Sequence, residues 1–307
     1  MKRNGLTRAA FWRHVVRAAG FSVMVGTLLT VNLMAQRNAQ GSGTPYLNTV
    51  IERFEADLPS FNGEHWNNLP GIEHNPFAYP LLERALADLR PEGSTKPMGF
   101  PVVRIDFEGY QDYNHLVTGL LNRGLGGIIL PMVESIPEIT EFVATLRYPP
   151  QRMTPDSLRF PYGTRGWSAG AAVRYWGLDQ DDYVNAADVW PLNPRGELMA
   201  LIMIETPEMV QMIRDVLSVP GLSGVLVGQG DLSIRLGVGT PGANAFHPEV
   251  EGLVAEVAAA CVDMGKLCGS YQSPPEGACP DPVCGQAYRV KQGFRIFTSG
   301  RGNYTGP

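Results

Sequence analysis

The body of this 307-residue chain has no Lys/Arg cluster, and its formal net charge is −5. A nucleic-acid partner needs a basic footprint, so that class of function is disfavoured. No GxGxxG follows an apolar strand and opens a helix, so a dinucleotide-binding open sheet has little support. Charged residues are sparse, at 18% against 44% hydrophobic, which fits a globular chain and not a disordered one. Cysteine is scarce too. Cys261, Cys268, Cys279 and Cys284 all lie in the last fifth of the sequence and form no CxxC knuckle. A four-cysteine zinc site is therefore the weaker reading, and disulfides the stronger one if the chain reaches an oxidising compartment. Cys279 and Cys284, in ACPDPVCG, are the easiest pair to close by sequence distance, although spacing alone does not assign the pairing. The abundant residues are Gly and Pro, 35 and 25 of them, which imply many turns and long connections.

The N-terminus differs from the rest. MKRNGLTRAAFWRHVVR is basic and lacks acids, Ala18–Ala35 is apolar, and QRNAQGSGTP is polar and rich in small residues. Basic, then apolar, then small and polar is the layout of a secretory signal, with a retained membrane anchor as the alternative. The expected organisation is a signal or anchor over 1–35, a flexible linker over 36–45 and a single domain over 46–307. The protein is then expected to be exported, either periplasmic or tethered on the outer side of a membrane.

Along that domain, short apolar runs alternate with helical patterns. PVVRI (101–105), GGIILPMV (126–133), LMALIMIE (198–205), GVLVG (224–228) and FRIFTSG (294–300) read as strands. Helical patterns cover 113–124, 136–147, 206–219 and 247–265, the third with Thr206 as cap and Pro207 in its first turn. Strand–helix alternation marks parallel β/α units, and so many of them fit a (β/α)8 barrel better than an open sheet.

In such a barrel the functional residues sit at the C-terminal ends of strands. Arg104, Glu205 and Asp231 are the polar residues that close apolar runs there. Two carboxylates suit a hard divalent ion, and an arginine beside them can balance a substrate carboxylate or a developing enolate. The Gly228-Gln229-Gly230 break ahead of Asp231 would let the backbone approach a ligand closely. Each residue also has a plain structural reading: Glu205 as a partner of the following helix dipole, Asp231 as a helix cap, and Arg104 as an ion-pair partner.

IMIETPEM, GVLVGQGDLSIRLGV, GGIILPMVES, RYPP at 147–150 and GTRGW at 163–167 resemble the HpcH/HpaI aldolase/citrate lyase family, over about Ile72 to Gly300. The resemblance implies a (β/α)8 barrel of the phosphoenolpyruvate/pyruvate-binding type. It also implies a divalent metal, Mg²⁺ or Mn²⁺, and cleavage or formation of a C–C bond in a 4-hydroxy-2-oxo acid through a pyruvate enolate. Carried over by motif, Glu205 and Asp231 are the metal ligands. Arg104 contacts the oxo acid, together with Met203, Gly228 and Gly230 along the same rim. The family's acid–histidine element has two candidates, FNGEHWNN with His65 and GIEHNPF with His74. The following NPF and the helix YPLLERALADL favour His74 as the acid–base residue.

The chain departs from the pattern in several places. DLPSF resembles the first strand and GIEH the second, with almost nothing between, so the first βα unit is shortened. The last strand is followed by GRGNYTGP with no helical pattern, which leaves the family's usual homo-oligomer open. The family's aspartate is replaced by Asn62 or Gly71, and Met203 stands where related aldolases can carry Gln. His115 reads as a surface or packing residue, His247 as structural, and Trp167 and Trp176 as loop packing. A catalytically silent exported barrel that binds a small oxo acid is the second reading, and an acyl-CoA substrate the third.

Overall fold

The apolar runs become parallel strands because each is buried on both faces, between a packed barrel interior and a surrounding layer of helices. The computed structural model describes residues 46–69, 79–90, 92–94, 97, 99–105, 114–150, 155–239, 242–275, 284–302 and 304–306. The chain divides into two units, Met1–Gly43 and Thr44–Pro307. The first unit, with the expected signal or anchor, lies outside the described residues, as do His74, Gly71 and Cys279.

The strands are β1 (Ser60–Phe61), β2 (Trp66–Leu69), β3 (Phe100–Arg104), β4 (Gly127–Leu130), β5 (Val189–Trp190), β6 (Leu198–Ile204), β7 (Gly224–Val227), β8 (Leu267–Ser270) and β9 (Ile296–Phe297). Their order is β1-β9-β8-β7-β6-β4-β3-β2, every pairing is parallel, and β5 adds only to the start of β6. A bridge between Asn62 and Trp66 brings the two ends of this eight-strand path together.

The register explains how the first unit can be so short. The walk starts at Trp66 opposite Phe100, then follows Val102–Gly127–Met199, Leu201–Gly224–Leu267 and Gly269–Ile296–Ser60. It reaches Asn62, which faces Trp66 again. Each of the four advances is two residues, so the circuit closes about eight residues out of step, the shear of a (β/α)8 barrel. That stagger sets the end of β1 beside the start of β2. Residues 62–65 can therefore link two parallel strands that would otherwise need a crossover of a dozen residues. The second strand is thus WNNL, ahead of the GIEH expected from sequence. The shortening expected there is present in a stronger form.

Side chains hold this seam. Asn62 Nδ2 donates to Thr298 O (3.0 Å), and its Oδ1 accepts from Asn68 N (2.9 Å). Trp66 Nε1 donates to Phe297 O (3.2 Å). With no helix between β1 and β2, the residues after β9 cover the outside of β1. Phe61 stacks on Phe297 (5.1 Å) and meets Tyr304 (5.4 Å), while Arg301 lies over its ring and pairs with Glu64. No helix forms after β9 among the described residues.

Eleven α-helices are described: α1 (Thr49–Glu55), α2 (Tyr79–Asp88), α3 (Asn114–Leu121), α4 (Ile136–Leu146), α5 (Gly170–Trp176), α6 (Gln180–Ala186), α7 (Pro207–Gln211), α8 (Ile213–Leu217), α9 (Gln229–Arg235), α10 (Pro248–Met264) and α11 (Gly285–Gln292). Thr206 Oγ1 accepts from Met209 N and caps α7, with Pro207 behind it. The helix expected over 206–219 is broken at Met212 into α7 and α8. The barrel interior is a separate apolar cluster that includes Trp66, Val102, Ile129, Met199, Leu201, Met203, Leu226 and Ile296, closed by Val50 and Ile51 of α1. The larger cluster packs the strands against the helices.

In RYPP, Arg147 is buried. It makes a two-point contact with Asp188 (2.6 and 3.0 Å) and donates to the carbonyls of Asp156, Arg159 and Pro161. Its role is to tie down the 155–165 loop. Among the cysteines, Cys261 of α10 is bonded to Cys268 of β8, and Cys284 is disulfide-bonded as well. Three of the four sulfurs are thus committed, which removes the four-cysteine zinc site.

Candidate active site at the barrel mouth

Arg104 is the last residue of β3, Glu205 follows β6, and Gly228 follows β7. Ile204 faces Val227 in the ladder and Gly228 N donates to Ile204 O (3.0 Å), so Glu205 and Gly228 leave adjacent strands together. The contact between them is tight. A Cβ on Gly228 would lie 2.7 Å from Glu205 Cγ, 2.9 Å from Oε1 and 3.0 Å from Met203 Cε. Only glycine fits there, which is why the apolar strand ends in that residue. Gly230 is different: a Cβ there would meet only Ala243 Cβ, at 3.7 Å, so no close approach demands it.

Glu205 is 2% exposed. A buried carboxylate costs several kcal/mol unless it is hydrogen-bonded. Its Oε2 accepts the backbone N–H of Met132 at 2.7 Å, from the loop after β4. Met132 holds φ at +54°, the left-handed region, which costs a non-glycine residue about 1–2 kcal/mol. The loop is therefore shaped to deliver that donor. A role as dipole partner ahead of α7 does not account for these contacts.

Arg104 is positioned by Met203 and Tyr271. Its Nη1 lies 3.6 Å from Met203 Sδ, and its guanidinium carbon is 5.4 Å from the Tyr271 ring centroid. A thioether is a weak acceptor, so Met203 packs against the guanidinium more than it binds it. Asp231 stands in the first turn of α9 and is exposed. Gly228, not Asp231, is the cap of α9, and no side chain caps it. The structure thus brings Arg104, Met203, Glu205 and Gly228 into one contact set, with Asp231 three residues beyond Gly228 on the same rim.

The histidines separate clearly. His65 sits in the β1–β2 link, where its Nδ1 accepts from Phe61 N (3.1 Å). Burial first, and then the charge of Arg53, hold its pKa below the usual histidine value. His115 is exposed on α3, and His247 caps α10 through Nδ1. Trp176 is a core residue whose Nε1 donates to Gly124 O (2.8 Å), whereas Trp167 is exposed against Tyr148. The preferred acid–base residue, His74, lies outside the described residues.

Sequence reasoning missed three residues here. Met132 acts through its backbone, which no side-chain pattern reveals. Gln229 is fully buried and donates to Ser270 Oγ (3.0 Å) and Gln272 O (2.7 Å), tying the first turn of α9 to the end of β8. A polar residue between two glycines after an apolar strand was its signal. Tyr271, beside Arg104, follows β8, a strand too short and small-residue-rich to stand out.

Among the described residues no group of three His, Cys, Asp or Glu side chains gathers to hold an ion. Two carboxylates, Glu205 and Asp231, stand on this rim, the first buried and the second exposed. That set fits Mg²⁺ or Mn²⁺, which take one or two carboxylates and complete their shell with water and substrate oxygens.

An eight-stranded parallel barrel with carboxylates and an arginine at the C-terminal rim defines a barrel whose site lies where barrel enzymes place theirs. Within that class the chain belongs to the HpcH/HpaI aldolase/citrate lyase family, whose model matches residues 69–268. It is 28% identical over 223 residues to a 2-keto-3-deoxy-L-rhamnonate aldolase of Klebsiella pneumoniae subsp. pneumoniae, covering 72% of each chain. Its fold matches an HpcH/HpaI aldolase/citrate lyase family protein from Burkholderia cenocepacia J2315 (TM-score 0.60, 22% identity, 82% of this chain and 93% of the other). It also matches an HpcH/HpaI aldolase from Desulfitobacterium hafniense DCB-2 (TM-score 0.59, 21% identity, 84% and 83%).

Proposed function

We propose that this member of a carbon–carbon lyase family is a metal-dependent aldolase that cleaves or forms the C3–C4 bond of a 4-hydroxy-2-oxo acid through a pyruvate enolate. The observation that carries the reading is Glu205: a carboxylate buried at the mouth, kept there by the Met132 N–H and by the missing side chain at 228. Glu205 and Asp231 would hold the Mg²⁺ or Mn²⁺ ion, which supplies Lewis-acid polarisation of the 2-oxo group when bound.

The chain's own groups carry the rest. Arg104, fixed by Met203 and Tyr271, offers N–H donors to the negative charge that grows on the C2 oxygen. The backbone at Gly228 lets the oxo acid lie against the rim. In the cleavage direction His74, through water, accepts the C4 hydroxyl proton. The C3–C4 bond then breaks, its electron pair enters the enolate, and the aldehyde leaves. Protonation at C3 gives pyruvate. We assign the chain to an oxidising compartment outside the cytoplasm. The basic–apolar–polar layout of residues 1–45 and the Cys261–Cys268 disulfide support that assignment.

The replaced first unit favours the second reading, a silent barrel that binds an oxo acid. One experiment decides. The purified protein is stripped of metal, then given Mg²⁺ or Mn²⁺, and pyruvate release from 4-hydroxy-2-oxo acids is measured. Metal should restore turnover, and Glu205→Gln should lower kcat by about 100-fold or more, as for the loss of a transition-state contact. Metal binding without turnover selects the silent barrel. Turnover unaffected by Glu205→Gln overturns the scheme.

A further inference from the structure

The two rim carboxylates are held in different ways. Glu205 is fixed at its own oxygen by the Met132 N–H. The Asp231 carboxylate is exposed and has no hydrogen bond or ion pair with another described residue. Its direction is therefore set by the turn on which it stands, and that turn is pinned on both sides of it. Two residues ahead, Gln229 Nε2 donates to both Ser270 Oγ (3.0 Å) and Gln272 O (2.7 Å). Two residues beyond, Ser233 Oγ donates to Gly230 O (2.6 Å) and accepts from Asn244 N (2.9 Å).

Packing alone does not ask for an amide at position 229. Gln229 Oε1 is buried and has no hydrogen-bond partner in the protein. An apolar side chain of the same length would avoid that desolvation cost. Gln272 O can only accept, so it fixes which end of the amide faces it. That carbonyl is itself anchored. Ser270 Oγ donates to it (2.6 Å), and so does Arg289 Nε (3.3 Å). Arg289 of α11 is fully buried, and its other nitrogens donate to both oxygens of Glu251 (2.8 and 2.6 Å), in the first turn of α10. A charge-assisted two-point pair of this kind is geometrically specific. An ion pair outside the barrel thus ties α10, α11 and the end of β8 to one carbonyl, and Gln229 ties α9 to the same atom.

We propose that Gln229 and Arg289 are positioning residues for the divalent ion: the Arg289–Glu251 pair fixes the Gln272 carbonyl, Gln229 passes that fixed point to the first turn of α9, and the turn aims Asp231. The proposal rests on the metal-dependent reading, and the test separates the two. Mn²⁺ alone is titrated into the metal-stripped full-length protein, and the free ion is read by electron paramagnetic resonance. The parent gives the Kd, and Asp231→Asn gives the loss that follows when the ligand itself is removed.

Gln229→Met keeps the length of the side chain and removes both donors. Arg289→Lys keeps the charge and removes the Nε donor. Each is expected to raise the Kd about tenfold or more, the effect of losing a group that orients a metal ligand. Combined with Asp231→Asn, neither is expected to raise it further, because a residue that acts only through Asp231 then has nothing left to aim. Asn62→Ala, which weakens the distant seam, is expected to leave the Kd unchanged, so lost stability alone does not imitate the effect. Should Gln229→Met fail to fold, Arg289→Lys decides by the same two comparisons. An unchanged Kd, or a rise that persists in full beside Asp231→Asn, overturns the positioning and leaves the metal reading standing. A parent that takes up no Mn²⁺, or an Asp231→Asn variant that binds it as well as the parent, overturns the metal assignment, and the positioning falls with it.

Discussion

At the β6–β7 rim a carboxylate is kept in a buried place by an absent side chain at Gly228 and one backbone N–H from Met132. At the β1–β2 seam a four-residue link closes the barrel, and Asn62, Trp66 and the Arg301–Glu64 pair lace it to the residues around β9. Both are places where the chain crowds itself. At the rim the crowding costs folding energy and serves a charged group. At the seam it stabilises the fold. Residues at the rim should therefore matter to rate more than to stability, and residues at the seam to stability more than to rate.

Gly228→Ala puts that contrast under the greatest strain. The added methyl meets Glu205 Cγ at 2.7 Å, so the carboxylate must move. A displacement near 1 Å can cost about 100-fold in rate, while overpacking costs about 1–3 kcal/mol in stability. Turnover measured beside a denaturant titration should show the rate loss dominating. Stability loss with unchanged kcat would mean that Glu205 is not working where it stands.

Asn62→Ala should give the opposite profile. It removes hydrogen bonds to Thr298 O and from Asn68 N, for about 1–2 kcal/mol of stability, and leaves kcat per folded molecule unchanged. A matching fall in kcat would show that the seam feeds into the mouth.

The smallest effect belongs to His65, whose surroundings include Arg53, Glu64 and Arg301. Its folded-state pKa is lowered, first by burial, so the unfolded chain takes up the proton more readily. Its contribution is fully present above about pH 6.5 and is lost as the pH falls through the lowered value. Thermal unfolding from pH 7.5 down to 5 should show a shallower decline in His65→Gln than in the parent. Identical slopes would place the acid sensitivity elsewhere.

The strands that carry the site were legible in the sequence because parallel strands buried on both faces read as continuous apolar runs: LMALIMI and GVLV need no alternation to be recognised. Thr206 and Pro207 marked the start of α7 within a residue. Less legible was β8, whose LCGS carries too little apolar bulk, whereas the two-residue β9 falls inside the FRIFTSG run. The break at Met212 has no proline or glycine to announce it. Of the rim residues, Arg104, Glu205 and Gly228 stood out as polar or glycine ends to apolar runs. Met132 and Gln229 did not, since one acts through its peptide and the other through its depth.

The sequence by itself determined that parallel β/α units form, that Arg104 and Glu205 close their apolar runs, and that Asp231 comes soon after a third. Alternation of apolar runs and helical stripes is a local property, encoded over ten to twenty residues. Only the tertiary structure decided that β1 could pass to β2 in four residues, that Cys261 met Cys268, and that a carboxylate could be buried against residue 228. Those outcomes depend on the stagger accumulated around the whole barrel and on distances between segments far apart in the chain, neither of which a window of sequence contains.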